Sequence, residues 1–436
     1  MTLTDVKVQK TEILRGEVCA PPSKSYTQRM VIAAALAQGS SKVVNPLVSE
    51  DTEATLRAAR ALGAKVTIAA DCLIVEGANP LHGAKKPVDV GESGATLRFM
   101  IPVAALAAGP SVFVLGGGLA KRPVEPLLEA LKQLGVEAYA QAVGDRAGIR
   151  VAGGGIAGGK ASVPGDVSSQ FISGLMFACP LAKADTELAI SSPLESKSYV
   201  RMTQDVLAKH GVKVDIAEDF GAVKIPSGQT YSPADLCVPG DFSSAAFLLA
   251  AAAITQSEVT VKNLDYTTKQ GDKQILGLLK KLGVNGTVCP DTVSISGSTE
   301  PLGAIDVDAR EIPDLVPVCA ALLCFASGIS VIHDAQRLRL KESDRLTSLY
   351  SGLHKMGADI TMNEGSLTIK GPCRLRGVSI GSHNDHRIAM ACAVAALRAE
   401  GETVIQNAEC VRKSYPQFFH DLRRLGANVV GGQFDR

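Results

Sequence analysis

Pro239-Gly240-Asp241-Phe242-Ser243-Ser244 opens an apolar run that continues to Ile254, and Pro164-Gly165-Asp166-Val167-Ser168-Ser169 shows the same pattern 75 residues earlier. In both, Ser or Asp is placed to cap the helix that follows. Outward from Pro239, strands are expected over 212–216, around 222–225 and around 235–238. A helix over 243–254, a strand over 258–263 and a helix over 273–282 follow. This α/β set lies between two copies of one signal, a helix end followed by Gly and a strand: His210-Gly211-Val212 and Leu282-Gly283-Val284. The signal also stands at Leu62-Gly63-Ala64, Leu134-Gly135-Val136, Met356-Gly357-Ala358 and Leu425-Gly426-Ala427, with Gly-to-Gly steps of 72, 76, 72, 74 and 69 residues. Gly is favoured just past a helix C-terminus, where the chain turns left-handed. Six such ends at near-constant spacing predict an internally repeated unit. The unit is longer than the roughly 30–45 residues common in solenoids, so two globular groups of three are expected, with one long solenoid as the alternative.

The chain has 436 residues, with 45 Lys+Arg against 44 Asp+Glu and a net charge of +1. That length predicts two or three domains. The charge balance argues against a nucleic-acid partner. Aromatics make up 4% of the residues and Trp is absent, which leaves little material for base-stacking platforms. The first ten residues are polar, without the apolar run of a secretory signal. The longest apolar stretch, around 245–254, is too short to span a bilayer, so no membrane partner is expected. The ten Cys are scattered with no Cys-x-x-Cys pair, and Cys179, Cys319, Cys324 and Cys392 fall in apolar helical runs. These are read as buried free thiols of a cytoplasmic protein.

On this neutral body, cations stand where helices disfavour them. Lys341-Glu342-Ser343-Asp344-Arg345, Asp385-His386-Arg387, Ser23-Lys24-Ser25 with Arg29, and Gly94-Ala95-Thr96-Leu97-Arg98 each open an apolar helical run. A helix N-terminus is partly positive and carries unpaired N–H groups, so Lys or Arg there makes sense when an anion binds. Lys341 and Arg345 are read as one helical turn apart on one face, with Glu342 beside them. Ordinary ion pairing at a solvated helix start is the plainer reading of that segment, but Arg337, Arg339 and Arg387 add to the cation density. Asp385 and Asp314 are each placed to cap the helix that follows. Pro21-Pro22-Ser23-Lys24-Ser25 lacks the Gly framework of a nucleotide-hydrolysing phosphate loop. Gly91-Glu92-Ser93-Gly94 allows close backbone approach to a ligand, and Gly116-Gly117-Gly118 leads to Lys121-Arg122-Pro123. His383 and His386 lack further ligands nearby, so no metal site is expected. The pattern points to binding of small polyanions, phosphorylated metabolites above all.

These segments together resemble the 5-enolpyruvylshikimate-3-phosphate synthase family. The resemblance runs from Pro21 to about Phe419. Its ordered motifs are Ser23-Lys24-Ser25 with Arg29, Gly91 to Arg98, Arg122-Pro123, Ser168-Ser169-Gln170 and Ser196-Lys197-Ser198-Tyr199. Asp241 to Ser244, Asp314, Lys341 to Arg345, Asn384 to Arg387 and Lys413-Ser414-Tyr415-Pro416 complete the set. The resemblance implies a two-domain inside-out α/β barrel in which each domain holds three βαβαββ-type repeats. Residues 1–20 with 240–436 would form one domain and 21–239 the other, with crossovers near 20 and 240. Helix N-termini of both domains would face a cleft that closes on its substrates. The implied reaction transfers the enolpyruvyl group of phosphoenolpyruvate to the 5-hydroxyl of shikimate 3-phosphate and releases phosphate, within the route to chorismate and the aromatic amino acids.

By motif, Lys24, Ser25, Arg29, Ser168, Ser169, Gln170, Ser196, Tyr199, Asp314 and Lys341 would hold shikimate 3-phosphate. Lys24, Gly94, Arg122, Gln170, Arg345, Arg387 and Lys413 would bind phosphoenolpyruvate. Asp314 would deprotonate the attacking hydroxyl. Glu342, with Lys24 as competitor, would protonate the methylene carbon. A tetrahedral ketal would then lose phosphate by C–O cleavage; the P–O bond stays intact, so neither a metal nor another cofactor is expected. The expected partners are the two small-molecule substrates alone, for a monomeric cytoplasmic enzyme. The chain departs from the familiar pattern at Glu92-Ser93, Ala95, Phe99, Ser198 and Arg337. The family is the target of glyphosate, which occupies the phosphoenolpyruvate site, and Gly94 is read as leaving room for it. The nearest alternative is UDP-N-acetylglucosamine enolpyruvyl transferase, whose mobile loop carries a reactive Cys that residues 116–123 lack. A non-catalytic phosphometabolite-binding protein is the other alternative.

Overall fold

In the computed structural model of the chain, residues 5–296 and 300–432 are described. The first four residues of the polar N-terminal stretch lie outside this range. The chain divides into two compact units, Met1–Pro21 with Pro239–Arg436 and Pro22–Val238. Each unit has its own apolar core.

One repeat shows how the sequence builds the unit. Val88–Gly91 is a strand, Gly94–Ala105 a helix, Ser111–Leu115 a strand, Glu125–Gln133 a helix, and Ala138–Val143 and Arg146–Val151 a hairpin. Val88–Gly91 runs parallel to Ser111–Leu115, and the hairpin continues the sheet antiparallel. The same order recurs in all six sheets: a parallel pair on one side, then two antiparallel neighbours. The six glycines read as repeat markers, Gly63, Gly135, Gly211, Gly283, Gly357 and Gly426, all have positive φ, between 79° and 114°. They end the second helix of each repeat in the left-handed turn that a side chain would strain.

The two helices of a repeat differ in kind. The first is buried almost throughout and apolar on every side beyond its first two turns: Lys24–Leu36, Gly94–Ala105 and Ser169–Ala178 in the second unit, and Phe242–Ile254, Val316–Leu323 and His386–Ala396 in the first. The second helix is amphipathic, as in Lys197–Lys209 and Arg345–Lys355, and keeps one charged face exposed. Helices enclosed by sheets in this way give the inside-out α/β arrangement. Their close approach needs small residues. At Gly174 an added Cβ would collide with the Arg98 carbonyl of the neighbouring inner helix.

Several elements are shorter than the sequence predicts. The strand expected over 212–216 is Asp215–Ile216, and the one around 235–238 is Leu236–Cys237. The latter reaches across the repeat boundary to pair in parallel with Ser40–Val44, at the other end of its unit's sequence. The helix expected directly after Asp314 is only eight residues long, Val316–Leu323. The helix expected over 273–282 starts as a 3-10 turn over Gly271–Gln274 and becomes α-helical over Ile275–Lys281. In the first unit the N-terminal strands fill gaps left by the rest of the chain. Arg15–Cys19 pairs with Glu258–Lys262, and Val6–Gln9 lies between Glu402–Gln406 and Val429–Val430.

Gly174→Ala should overpack the inner helices and cost about 1–3 kcal/mol. Urea unfolding should show a lowered midpoint with an unchanged slope; an unchanged midpoint would mean that the helices slide apart without penalty.

Candidate active site

The inner helices have no polar face, so their chemistry is at their N-termini. In the first unit three of these ends come together. Asp385 caps His386–Ala396, accepting from the Arg387 N–H at 3.0 Å. Asp241 caps Phe242–Ile254 through the Ser244 N–H at 2.8 Å. The third helix differs from expectation. Its cap position is Leu315, and the Asp314 side chain does not cap it. The Asp314 carboxylate instead accepts from Arg345 Nη1 at 2.7 Å and Arg387 Nη2 at 3.2 Å, with Lys341 Nζ 4.0 Å away.

Arg345 is the hub. It is 1% exposed and donates to three carboxylates: Asp385 through Nε at 2.9 Å, Asp314 through Nη1, and Glu342 through Nη2 at 2.6 Å. A guanidinium has five N–H groups, so these three bonds leave two that can still meet an incoming anion. Burial works against the Arg345 charge, but Asp385, Glu342 and Asp314 hold its pKa well above the ordinary value. Burial alone would raise Asp314; Arg387, Lys341 and Arg345 outweigh it and hold the carboxyl well below the usual range. Lys413 Nζ donates to the Asn384 carbonyl at 2.7 Å, beside the same helix start.

The Lys341–Arg345 segment is not a helical turn. The helix starts at Arg345 with Asp344 as its cap, and Lys341 is extended at the end of the 3-10 turn Gln336–Leu340. Asp344 takes the Thr347 N–H, which ends the helix before Lys341 can join it. Lys341 and Arg345 still meet, because both reach Asp314. Burial pushes the Lys341 ammonium down to about 7, against the pull of Asp314 and with Arg337 and Arg345 adding repulsion. About a quarter of that side chain, 23%, still meets solvent. Nearby Asp272, buried and hydrogen-bonded by Ser243, is pushed up to about 7 by burial and by Asp314, against Arg387. Asp272 has no signal in the sequence, since its neighbours come from three repeats.

The second unit assembles its groups in the same way. Lys24 starts its helix and pairs with Asp51 at 2.9 Å, both largely buried. Ser23 caps that helix, Ser93 caps Gly94–Ala105, and Ser168 caps Ser169–Ala178, accepting from the Gln170 N–H. A buried relay ties the first two ends, with Gln28 Nε2 donating to Thr55, Ser93 and Thr96 at 3.0–3.2 Å. Arg98 ties the second to the third through Gln170 Oε1 at 2.8 Å and reaches the Pro123 carbonyl at 2.9 Å. Ser196 stands left-handed at φ 57°, just before Lys197–Lys209. For a non-Gly residue this conformation is strained, as is common at ligand sites.

Arg29 is 2% exposed. It donates to Thr203 Oγ1 at 2.8 Å and to the carbonyls of Ser25 and Tyr199 at 3.0 and 3.3 Å. Burial pushes it down to about 10. Gly94 faces the Arg122 guanidinium, where an added Cβ would lie 2.8 Å from Nη1. The space read as room for an inhibitor is therefore first of all room for Arg122. Glu92 accepts the Gly118 N–H at 3.1 Å, so it anchors the glycine loop before Arg122. Arg98 is among the displaced cations read from sequence, without a substrate role; Asp51 and Gln28 are not singled out, since single Asp and Gln residues on helices carry no periodic signal.

Among the described residues no helix is long and apolar enough to cross a membrane.

The profile of the EPSP synthase family (3-phosphoshikimate 1-carboxyvinyltransferase) matches residues 8–422. The 3-phosphoshikimate 1-carboxyvinyltransferase of Methanocaldococcus jannaschii is 42% identical over 425 residues, covering 97% of this chain and 98% of its own length. That of Methanocorpusculum labreanum is 42% identical over 419 residues, covering 95% and 97%. A solved EPSP synthase from Acinetobacter baumannii superposes with a TM-score of 0.82 at 26% identity, covering 99% of this chain and 100% of that one. An enolpyruvyl transferase from Streptomyces tendae shares the fold, with a TM-score of 0.78 at 18% identity over 98% of this chain and 99% of its own.

A bound anion beside Lys341 should restore its charge, so ligand binding near pH 8 should take up about half to one proton. Calorimetry in buffers of different ionisation enthalpy, with phosphoenolpyruvate and shikimate 3-phosphate, measures this. Lys341→Met should remove most of the uptake; uptake unchanged in that variant would assign it elsewhere.

Proposed function

The chain belongs to the EPSP synthase family and transfers the enolpyruvyl group of phosphoenolpyruvate to shikimate 3-phosphate; we propose that the second unit supplies most groups that hold shikimate 3-phosphate, while the first supplies the base and the larger cation cluster. Ser168, Ser169 and Ser196 offer hydroxyl and N–H donors at helix starts for the phosphate, where the helix ends add positive potential. Tyr199 packs against the ring. Arg29 fixes Ser25 and Tyr199 through their carbonyls and reaches the substrate with the N–H groups left over. Lys24, Ser25 and Gln170 contact both substrates. Arg122 beside Gly94, with Arg345, Arg387 and Lys413, takes the carboxylate and phosphate of phosphoenolpyruvate. The reaction runs in a monomeric, cytoplasmic protein.

The observation that carries this reading is Asp314, a carboxylate held by Arg345, Arg387 and Lys341 at an inner-helix start. As it stands it is a weak base. When phosphoenolpyruvate binds, its anionic oxygens compete for the same three cations. Asp314 then loses part of its electrostatic stabilisation and becomes more basic. The base is thus switched on by the second substrate, which guards shikimate 3-phosphate from idle deprotonation. Asp314 takes the proton of the 5-hydroxyl as that oxygen attacks C2 of phosphoenolpyruvate. Glu342, which accepts from Arg345 Nη2, first takes a proton from water and then gives it to the methylene carbon, and Lys24 is the second candidate for that role. The ketal then loses phosphate by C–O cleavage while its methyl group returns a proton to the same acid, and the arginines and lysines stabilise the growing charge of the leaving phosphate.

Asp314→Ala should lower kcat about 10²–10⁴-fold, the usual worth of a positioned base, while shikimate 3-phosphate binds as before. Phosphate release from phosphoenolpyruvate and equilibrium binding separate the two effects; full activity would remove Asp314 from the base role, and equal loss of binding would make it a binding residue. Gly94→Ala should displace Arg122 and raise the KM for phosphoenolpyruvate together with the glyphosate inhibition constant. A variant with weakened inhibitor but unchanged KM would show that the methyl group meets the inhibitor alone.

A further inference from the structure

Two cysteines far apart in sequence lie against each other in the first unit. Cys324 follows the inner helix Val316–Leu323, and Cys373 follows the strand Leu367–Gly371. The Cys373 N–H donates to the Cys324 carbonyl at 2.7 Å. An N···O separation of 2.7 Å keeps the two Cα atoms within about 6.6 Å of each other, inside the span that a disulfide bridges. Each thiol donates to a backbone carbonyl, Cys324 to Ala320 and Cys373 to Lys370, both at 3.3 Å, and the two are close enough to perturb each other electrostatically. The pair is asymmetric: Cys324 is fully buried, whereas Cys373 is partly exposed.

We propose that Cys324 and Cys373 form a redox-active dithiol that closes to an intramolecular disulfide when the protein meets a small-molecule disulfide such as glutathione disulfide. The Cys373 thiolate attacks one sulfur of the oxidant and expels a thiolate, leaving a mixed disulfide on Cys373. That expelled thiolate, or water, takes the Cys324 proton. The Cys324 sulfur then attacks the Cys373 sulfur and expels the second thiolate. Two protein thiols are oxidised and one external disulfide is reduced to two thiols. Cys373 is the member that an external disulfide can reach, and its interaction with Cys324 lowers it to about 7 even though burial opposes this, so it is the nucleophile. Cys179, Cys319 and Cys392 are pushed up to about 12 by burial and stay inert.

The bond would enclose residues 325–372 and staple the end of the helix that begins after Asp314 to its sheet. Because the backbone pairing already exists, closure needs little more than side-chain rotation. The oxidised enzyme should therefore keep its kcat and melt a few degrees higher, since a cross-link over such a loop removes chain entropy from the unfolded state.

The full chain is incubated in glutathione buffers of rising disulfide fraction, quenched with iodoacetamide and mapped by mass spectrometry under non-reducing conditions. The expected product joins the Cys324 and Cys373 peptides with the loss of two hydrogens. In the reduced protein at pH 7, Cys373 should alkylate about fivefold faster than an ordinary exposed thiol, its larger thiolate fraction being partly offset by lower nucleophilicity; Cys289, also exposed, is the internal reference. Cys373→Ser should abolish the cross-link and the rise in Tm while leaving kcat intact, and Cys324→Ala should leave Cys373 glutathionylated. Wild-type protein in which Cys373 carries glutathione while Cys324 remains alkylatable would overturn the proposal, as would a cross-link between other cysteines or no oxidation at all.

Discussion

A helix that is apolar on every side has only its two ends through which to meet anything polar. Each unit encloses three such helices, and their first-turn N–H groups must find partners. Side chains meet this need: Ser23, Ser93 and Ser168 in one unit, Asp241 and Asp385 in the other. Where the ends of several inner helices meet, partial positive charges gather in a region walled by apolar residues. The electric field there is strong because little water screens it. The cations that look misplaced in sequence sharpen that field, and carboxylates pair with them there.

The outer helices complete the arrangement. Asp51 lies in the first turn of one, Arg345 starts another, and Tyr199 lies in the first turn of a third. Arg122 and Lys413 come from the segments just before two others. Each repeat thus offers two helix starts, and the chemistry draws on both. Arg345 shows the cost of the design. A guanidinium that is 1% exposed is acceptable only with several hydrogen-bonded acids around it. Two of those acids, Asp314 and Glu342, are the ones proposed to move protons, so on that proposal structure and catalysis share one network.

Much of this architecture is legible in the sequence, because Gly after a helix is demanded by backbone geometry and so recurs with the repeat. Helix starts are legible for a similar reason, since caps and displaced cations break local rules. What stays hidden has one cause: it depends on partners from distant repeats. Nothing near Leu236 says that it will pair with Val43, and nothing near Gln28 announces Thr55, Ser93 and Thr96. Asp314 looked like a cap because Asp before an apolar run usually is one; Arg345 and Arg387 win its side chain instead. Lys341 was misread as helical because Asp344 ends the helix one turn early, a choice that depends on Thr347 and Arg339.

The placing of the N-terminal strands has a consequence for how the protein is made. Val6–Gln9 sits between Glu402–Gln406 and Val429–Val430, and Arg15–Cys19 waits for Glu258–Lys262. On a ribosome Val6–Gln9 therefore emerges long before its partners and belongs to the last sheet to be completed. The second unit has every strand it needs once Cys237 is outside the exit tunnel, and it can close while the rest is still being translated. The first unit has to keep a short strand unpaired through the synthesis of some four hundred residues. At four residues, with charged Lys7 among its apolar positions, that strand is a poor template for stray pairing during the wait.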